Sequence, residues 1–207
     1  MERKISRATL ERLPIYHRTL KELQERGEIL ISSSTLAEIL NVTPEKIRKD
    51  LSDFGQFGMK GVGYNIEVLK RGIEKILGLQ YRWALAVVGA GNLGKAIIND
   101  KNFSAMGFKV EVIFDIDEKL IGTKINGVKV YSFEKLDAVI KRKIVDIGVI
   151  TVPINAAQNV ADSLTCAGIK GIWNFAPTKI SVPPDVTLVN EDFNIGLMTL
   201  TYNLAKI

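Results

Sequence analysis

A glycine-rich turn and a later aspartate are the residues of this chain best suited to hold a nucleotide. The run Val-Val-Gly-Ala-Gly-Asn-Leu-Gly occupies residues 87–94, and Asp115 follows its last glycine by 21 residues. Closely spaced glycines let the backbone approach a pyrophosphate, and an acid at this distance can accept hydrogen bonds from the adenosine ribose. The predicted dinucleotide contacts are Gly89, Ala90, Gly91, Asn92, Leu93, Gly94 and Asp115.

The carboxylate of Asp115 also predicts which dinucleotide binds. It would repel the 2′-phosphate of NADP(H), so the expected ligand is NADH or NAD⁺. Coenzyme A, another adenosine diphosphate compound, is the nearest rival ligand.

The elements around this turn predict an α/β fold. Residues 83–89 form an apolar run typical of a strand buried on both faces, and a helix opening in the turn would aim its amides at phosphates. Ligands of open α/β sheets lie beyond the carboxyl ends of the strands. Residues that end two later apolar runs could therefore line the nicotinamide end, although the prolines among them could equally well just end strands. They are Thr151, Val152, Pro153, Asn174, Phe175, Ala176 and Pro177.

Side chains suited to catalysis are scarce. A hydride-transferring enzyme needs an acid or base near its substrate, but the single histidine, His17, lies far upstream of the glycine turn. We predict that Cys166, the one cysteine, packs as a small apolar residue at a helix end, and one cysteine excludes an internal disulfide. About 20 residues follow the last predicted strand, too few for a substrate domain. We therefore predict binding without catalysis, with no catalytic and no metal-binding residues.

Residues 1–78 predict a separate helical domain. We expect a first helix over residues 14–26, with Pro14 in its first turn and Gly27 at its end. Two short helices joined by a tight turn at Asn41 come next, the first of them capped by Ser34. This succession is typical of a helix-turn-helix.

The last of these helices carries the features of a DNA-recognition helix. Thr43 caps it and Pro44 takes its first position. Its apolar residues recur at helical spacing and should face the core; they are Ile47, Leu51 and Phe54. Three cations then point outward, where they could contact DNA in the major groove or form an ordinary solvated face; they are Lys46, Arg48 and Lys49.

The stretch that follows favours DNA binding over the solvated face. Residues 54–64 interleave four glycines with aromatic residues, which predicts a hairpin wing with Lys60 at its tip, though a glycine-rich linker is the alternative. A lysine there could reach a minor groove or a phosphate. The predicted DNA contacts are Arg12, Thr43, Lys46, Arg48, Lys49, Ser52, Lys60 and Gly61.

The predicted domains are thus a winged helix-turn-helix at residues 1–78, a Rossmann-like domain at 82–188 and a terminal helix at 189–207. The terminal helix is apolar on most sides, so it must be buried. A second subunit, the space between domains and its own sheet are all open as partners.

Composition sets broad limits. The chain is 46% hydrophobic and 25% charged, as in ordinary soluble proteins. It contains no run of 18 apolar residues and no secretory signal at its start, so we expect a cytoplasmic protein. A net charge of +5 permits a nucleic-acid partner without requiring one.

The chain resembles the Rex family of redox-sensing transcriptional repressors over essentially its whole length. The matching stretches are 12–20, 47–55, 57–64, 89–94, 114–117, 151–153 with Ala157 and Gln158, and 174–177. The resemblance implies a homodimer that binds palindromic operator DNA through two winged helices and exchanges its C-terminal helix between subunits. It also implies that NADH is an effector that releases DNA, whereas NAD⁺ permits binding.

Two positions depart from the family pattern. Asp100 stands where many members have tyrosine, which leaves open what replaces that ring. Lys60 stands where many have arginine, and a lysine lacks the planar fork of arginine, so binding in the DNA minor groove could be weaker. A small NAD-dependent reductase with an accessory N-terminal domain is the alternative function.

Overall fold

The chain folds into two compact units, Met1–Tyr81 and Arg82–Ile207. The structure, a computed structural model, describes residues 5–52, 57–59 and 62–205. Each unit has its own apolar core, and in the first unit that core includes Leu13, Leu20 and Ile47, all fully buried.

The first unit is a winged helix-turn-helix, as predicted. Its described strands pair antiparallel in the order β1-β3-β2, so that β2 and β3 form the wing hairpin. Its elements in chain order are α1 (Arg7–Glu25), β1 (Leu30–Ile31), α2 (Ser33–Leu40), α3 (Pro44–Ser52), β2 (Gly58–Met59), β3 (Gly63–Asn65) and α4 (Ile66–Ile76).

Helix α1 begins seven residues earlier than its sequence predicted. Its N-cap is Ser6, whose hydroxyl accepts from the Thr9 amide at 3.1 Å, and Pro14 lies inside the helix rather than in its first turn. The buried stripe runs through Leu13 and Tyr16 on both sides of the proline, while Pro14 itself is exposed. Tertiary packing therefore holds the helix together across a residue that cannot donate a backbone hydrogen bond. The predicted end is confirmed, since the chain leaves the helix at Gly27.

The helix-turn-helix follows the predicted scheme with one shift. Helix α2 is capped by Ser32, which follows β1 directly, and not by Ser34. Asn41 makes the turn with a left-handed φ of 51°. Thr43 accepts from the Lys46 amide at 3.3 Å and Pro44 opens α3, both as predicted.

The predicted core face of α3 is confirmed as far as the structure describes it. Ile47 is fully buried and Leu51 nearly so. Phe54, Gly61 and Lys60, the predicted tip of the wing, lie outside the described residues.

The second unit has the strand order of a Rossmann fold. Its described strands lie in the order β10-β9-β8-β4-β5-β7-β6, and their ladders are parallel except that between β6 and β7. Its elements in chain order are β4 (Trp83–Val88), α5 (Asn92–Asn99), α6 (Lys101–Ala105), β5 (Phe108–Asp115), β6 (Lys124–Ile125), β7 (Val128–Ser132), α7 (Leu136–Ile140), β8 (Ile147–Ile150), α8 (Ala157–Cys166), β9 (Gly171–Asn174), β10 (Thr187–Asn190) and α9 (Phe193–Leu204).

The order of the strands reverses at β4, whose neighbours are β5 on one side and β8 on the other. Strand β4 is buried on both faces, because Ala86 and Val88 belong to one apolar cluster while Leu85 and Val87 belong to another. A cleft at the carboxyl ends of such a pair of strands is where ligands of doubly wound sheets bind.

The last two helices of the second unit bear on two further predictions. Cys166 ends α8 as predicted but is exposed, so its predicted buried apolar role is wrong. Every residue of α9 is exposed within this chain, although Phe193 stacks on Phe175 with ring centroids 6.0 Å apart. Burial of α9 against its own sheet is therefore excluded for the described residues. None of the helices in the described ranges is long and apolar enough to cross a bilayer.

Candidate dinucleotide and DNA-binding sites

The glycine turn has the backbone geometry of a pyrophosphate cradle. Gly89 has a φ of +98°, and a Cβ at Gly94 would lie 2.0 Å from the Gly89 carbonyl oxygen, so neither position accepts a side chain. A Cβ at Gly91 would meet nothing within 4 Å. The turn is thus closed toward the protein and open on its outer side, where a phosphate would approach.

Helix α5 starts directly behind this opening. Its N-cap is Gly91, which provides no side-chain hydrogen bond to the first turn. The first helical amides are therefore left for an anion, and the helix dipole favours negative charge at the same place. This end of α5 fits the diphosphate of a dinucleotide.

Asp115 lies at the end of β5 and is tied to the turn. Its Oδ2 accepts a 2.5 Å hydrogen bond from the Ala90 amide, while Oδ1 accepts from the amides of Ile116 at 2.7 Å and Asp117 at 2.9 Å. A carboxylate has about four acceptor positions, which leaves about one for a ribose hydroxyl. The spacing of Asp115 from the glycine turn predicted the acid, whereas its hydrogen bonds to the turn are a finding of the structure.

Thr151 joins the two strands at the reversal point. Its hydroxyl lies 2.7 Å from the Gly89 carbonyl oxygen and 3.0 Å from that of Val88, and its amide donates to Val88 at 2.9 Å. The structure therefore places Thr151 and the residues after it, partly buried Val152 and exposed Pro153, beside the glycine turn.

Asn174 supports the adjacent loop rather than facing outward. It is fully buried, and its amide nitrogen donates to the carbonyl oxygens of Ala176 at 3.2 Å and Thr178 at 3.0 Å and to Asn190 Oδ1 at 2.9 Å. Its Oδ1 accepts from the Ala176 amide at 3.0 Å. These bonds show that the Asn174 side chain shapes the loop, and its contact with the coenzyme stays a prediction.

The residues after Asn174 present an aromatic surface. The ring of Phe175 packs 4.4 Å from that of Trp173 and 6.0 Å from that of Phe193, the first residue of α9. Ala176 is buried and Pro177 is exposed. Phe175 thus connects the predicted nicotinamide end of the site with the C-terminal helix.

The described part of the chain shows no cluster suited to a metal ion, and its single histidine is engaged elsewhere. It contains no group of three or more His, Cys, Asp or Glu side chains that could hold a metal ion. The His17 ring nitrogen Nε2 lies 2.9 Å from Glu74 Oε1, which joins α1 to α4 inside the first unit. Asp100 caps the short helix α6 by accepting from the Asn102 amide at 2.7 Å.

Helix α3 presents a basic outer face. Lys46, Arg48 and Lys49 are exposed. The Arg48 guanidinium donates to Ser33 Oγ at 2.9 Å and to Glu45 Oε1 at 2.5 Å, which holds it across the helix-turn-helix. Neither lysine has an acidic partner within the ranges that the structure covers, so both are available to phosphates.

The hydroxyls at the two ends of α3 serve the helix itself. Thr43 accepts from the Lys46 amide, as described, and the Ser52 hydroxyl donates to the Lys49 carbonyl at 2.9 Å. Both residues are exposed. Any contact that they make with DNA would add to these bonds.

Asp50, on the inner side of α3, was missed by sequence analysis. It is 2% exposed and accepts two 2.6 Å hydrogen bonds from Arg12, one of 2.7 Å from Tyr16 and one of 3.2 Å from Thr9. Burial alone would raise the pKa of Asp50, but the hydrogen bonds from Arg12 and Tyr16 outweigh it and hold the pKa below its ordinary value. Its spacing from Ile47 and Leu51 placed it on the buried face, which was the available signal.

Arg12 consequently has a structural role that its sequence position did not predict. Its guanidinium points at Asp50 and its side chain is 20% exposed. Arg12 is therefore a structural partner of α3, and its contact with DNA stays a prediction.

Two family descriptions match successive parts of the chain. Residues 4–52 match the family described as "Putative DNA-binding protein N-terminus". Residues 80–178 match the CoA binding domain family. The two matches fall on the winged helix-turn-helix and on the Rossmann-like unit.

Several known proteins are similar over nearly the whole chain. The redox-sensing transcriptional repressor Rex of Desulfitobacterium hafniense is 46% identical over 202 residues, which cover 98% of this chain and 96% of that protein. RSP is a Rex-family repressor of known structure. Its crystal structure in complex with NAD⁺ and operator DNA has a TM-score of 0.94 at 44% identity, covering 99% of this chain and 94% of that one. RSP in complex with NADH has a TM-score of 0.91 at 43% identity, covering 99% and 96%.

A winged helix-turn-helix and a dinucleotide-type Rossmann unit on one chain define a ligand-responsive transcription factor. The similarity over 98% of the chain narrows this class to a single family. The chain belongs to the Rex family of redox-sensing transcriptional repressors, and it is a regulator rather than an enzyme.

Proposed function

We propose that this protein binds palindromic operator DNA as a homodimer and releases it when NADH binds, so that transcription follows the NADH/NAD⁺ ratio. NADH and NAD⁺ act as effectors and are not consumed. The observation that carries this proposal is that one chain has both an exposed basic face on α3 and a glycine turn that Asp115 holds at the start of α5, where no side chain caps the helix. The proposed place of action is the cytoplasm.

On the DNA side, α3 would enter the major groove. Lys46 and Lys49 supply charge for the backbone, and Arg48 presents a planar fork suited to guanine. Arg48 is held in place by Glu45 and Ser33 before any DNA arrives. In a dimer the two α3 helices must lie about one DNA turn apart, roughly 34–36 Å, or a multiple of it. Lys60 and Gly61 of the wing remain predicted contacts.

On the coenzyme side, the residues divide by task. The amides of Gly91, Asn92 and Leu93 would hold the pyrophosphate, and the free acceptor position of Asp115 would hold the adenosine ribose. The backbone of Thr151 and the stretches 152–153 and 175–177 would line the nicotinamide end. NADH and NAD⁺ differ only in the charge and planarity of the nicotinamide ring, so the residues that discriminate them must lie at that end.

The contact between Phe175 and Phe193 supports α9 as the element that responds. Phe175 belongs to the predicted nicotinamide end, and its ring stacks on the first residue of α9. Leu197, Met198 and Leu200 of α9 are 61%, 67% and 54% exposed in the single chain. A helix with so much exposed apolar surface is suited to pack against a second subunit, and the proposal is that it is exchanged between the two.

The energy required is modest. A ligand shifts a conformational equilibrium only by its differential affinity for the two states. Converting an almost fully binding-competent dimer into an almost fully incompetent one takes about 5.5 kcal/mol, shared over two coenzyme sites.

Coenzyme A is the second candidate ligand, because residues 80–178 match a family described by that name. Parallel titrations of the purified protein with NADH, NAD⁺ and coenzyme A distinguish the two. The proposal expects a response to both nicotinamide coenzymes. Binding of coenzyme A alone would replace NAD(H) as the ligand.

The function itself is tested on DNA. A labelled palindromic duplex, selected from a random pool by the NAD⁺-loaded protein, is bound and then titrated with NADH while anisotropy is followed. The proposal expects release by NADH with no loss of NADH absorbance. Steady consumption of NADH together with an added carbonyl or imine would instead establish the reductase.

A further inference from the structure

The carboxylate of Asp50 is the meeting point of α1 and α3. It lies on α3 and, among the described residues, accepts hydrogen bonds from α1 alone, namely from Thr9, Arg12 and Tyr16, at 2.6–3.2 Å. The donors lie three and four residues apart and so share one face of α1. We refer to Asp50 and these three residues as the Asp50 network.

The Asp50 network can fix an orientation that apolar packing alone leaves loose. Ile47 and Leu51 bury α3 through contacts that have no strong directional preference. Hydrogen bonds weaken steeply away from linearity, and those from Arg12 are two parallel bonds to one carboxylate. Bonds from three positions along α1 therefore restrict rotation of α3 about its own axis.

That rotation decides where the outer face of α3 points. Arg48 and Lys49 precede Asp50 by two residues and one residue, and successive helix residues are about 100° apart. A small rolling movement of α3 would carry the Arg48 fork away from a base edge while leaving positive charge near the backbone. Sequence discrimination is therefore more sensitive to the network than charge-driven binding is.

We propose that Asp50 is the positioning residue for operator recognition, and that Arg12 and Tyr16 act through it rather than by touching DNA. This inference rests on the proposed function, in which α3 reads the operator. It differs from the simpler view of Arg12 as a phosphate contact, and the two make opposite predictions. Loss of a phosphate contact weakens binding to every sequence and lowers the slope of log affinity against log salt by about one.

The test compares a selected operator duplex with a scrambled duplex for Asp50→Asn, Tyr16→Phe and Arg12→Ala. Tyr16→Phe removes one hydroxyl and keeps the ion pair between Arg12 and Asp50. It therefore tests the inference even if Asp50→Asn fails to fold. One matched control removes a hydroxyl from a buried residue of α1 outside the network. It is Thr19→Val, and its counterpart within the network on the same helix is Thr9→Val.

For folded Tyr16→Phe we expect the operator-to-scrambled affinity ratio to fall roughly tenfold, as for a lost hydrogen bond to a charged group. Affinity for the scrambled duplex, its salt slope and NADH binding should stay at wild-type values, and the Thr19→Val control should keep the wild-type ratio. Unchanged ratios in the network variants would overturn the inference. So would an equal loss on both duplexes with a lower salt slope for Arg12→Ala. Failure of the wild-type protein to bind any duplex would instead overturn the proposed function beneath it.

Discussion

The carboxylate of Asp115 accepts a 2.5 Å hydrogen bond from the backbone amide of Ala90, which lies in the middle of the glycine turn. The acid expected to hold the ribose therefore also stabilises the backbone expected to hold the pyrophosphate. Changing Asp115 should affect both ends of the adenosine diphosphate, and this shapes the first prediction.

Asp115→Ala should weaken NADH binding roughly tenfold to a hundredfold, because hydrogen bonds to a charged group contribute about 1.5–3 kcal/mol. It should also relax discrimination against NADPH, since the charge that repels a 2′-phosphate is gone. Titration of both coenzymes with wild-type and variant protein measures the two effects. Unchanged selectivity between NADH and NADPH would remove the ribose assignment.

Arg48→Ala or Lys49→Ala should lower operator affinity and leave NADH binding intact, because the coenzyme residues lie in the other unit. If Lys49 contacts a phosphate, its variant should also lower the salt slope by about one. Lys141→Ala, which removes an exposed lysine of the second unit, is the control. It should change neither operator affinity nor the salt slope. Loss of both DNA binding and NADH binding in one of these variants would count against the assignment of DNA binding to the first unit and NADH binding to the second.

Removal of residues 190–207 should convert the dimer to a monomer, because it removes the exposed apolar helix α9. Leu197→Asp tests the same surface in the full-length chain. Ile144→Asp is the matched control, since Ile144 is 85% exposed but lies outside α9. Sedimentation measures the oligomeric state, and a stable dimer after the deletion would rule out the exchanged helix.

Asp50 should make the stability of the protein depend on acid pH. Its pKa lies below the ordinary carboxyl value in the folded chain, so its contribution is present above the unfolded pKa of about 4 and is lost as the pH falls through the lower folded value. At neutral pH Asp50→Asn should cost about 3–5 kcal/mol, the range for breaking a buried ion pair.

Urea unfolding of wild-type protein and Asp50→Asn across neutral to acid pH measures this effect. The difference in the free energy of unfolding should shrink below about pH 4, because only the wild type has the carboxyl group to protonate. A difference that stays constant over that range would show that Asp50 carries no pH-dependent stability.

Short sequence motifs predicted most elements of the second unit. In the first unit they failed where the structure depends on contacts between residues far apart in the chain. Strand β4 and the turn after it are encoded within a few neighbouring residues, as is the cap that Thr43 provides for α3. The start of α1 depends on packing that overrides the helix-breaking tendency of Pro14, and the pairing of Asp50 with Arg12 joins residues 38 positions apart. The bonds that saturate Asn174 likewise reach Asn190 on the neighbouring strand.

The partner of α9 could be predicted neither from the sequence nor from the structure of one chain. Its apolar character is evident from the sequence, and the structure of one chain leaves all of it exposed. What covers it is a property of the assembly, which is why the exchange between subunits stays a proposal.

The central claim is that the oxidation state of the coenzyme controls DNA occupancy. The most direct measurement varies the NADH/NAD⁺ ratio at constant total coenzyme and follows occupancy of the selected palindromic duplex at fixed salt. We predict that occupancy is high when NAD⁺ dominates and falls steeply as the share of NADH rises. Occupancy that stays constant across the whole range of ratios would contradict the account.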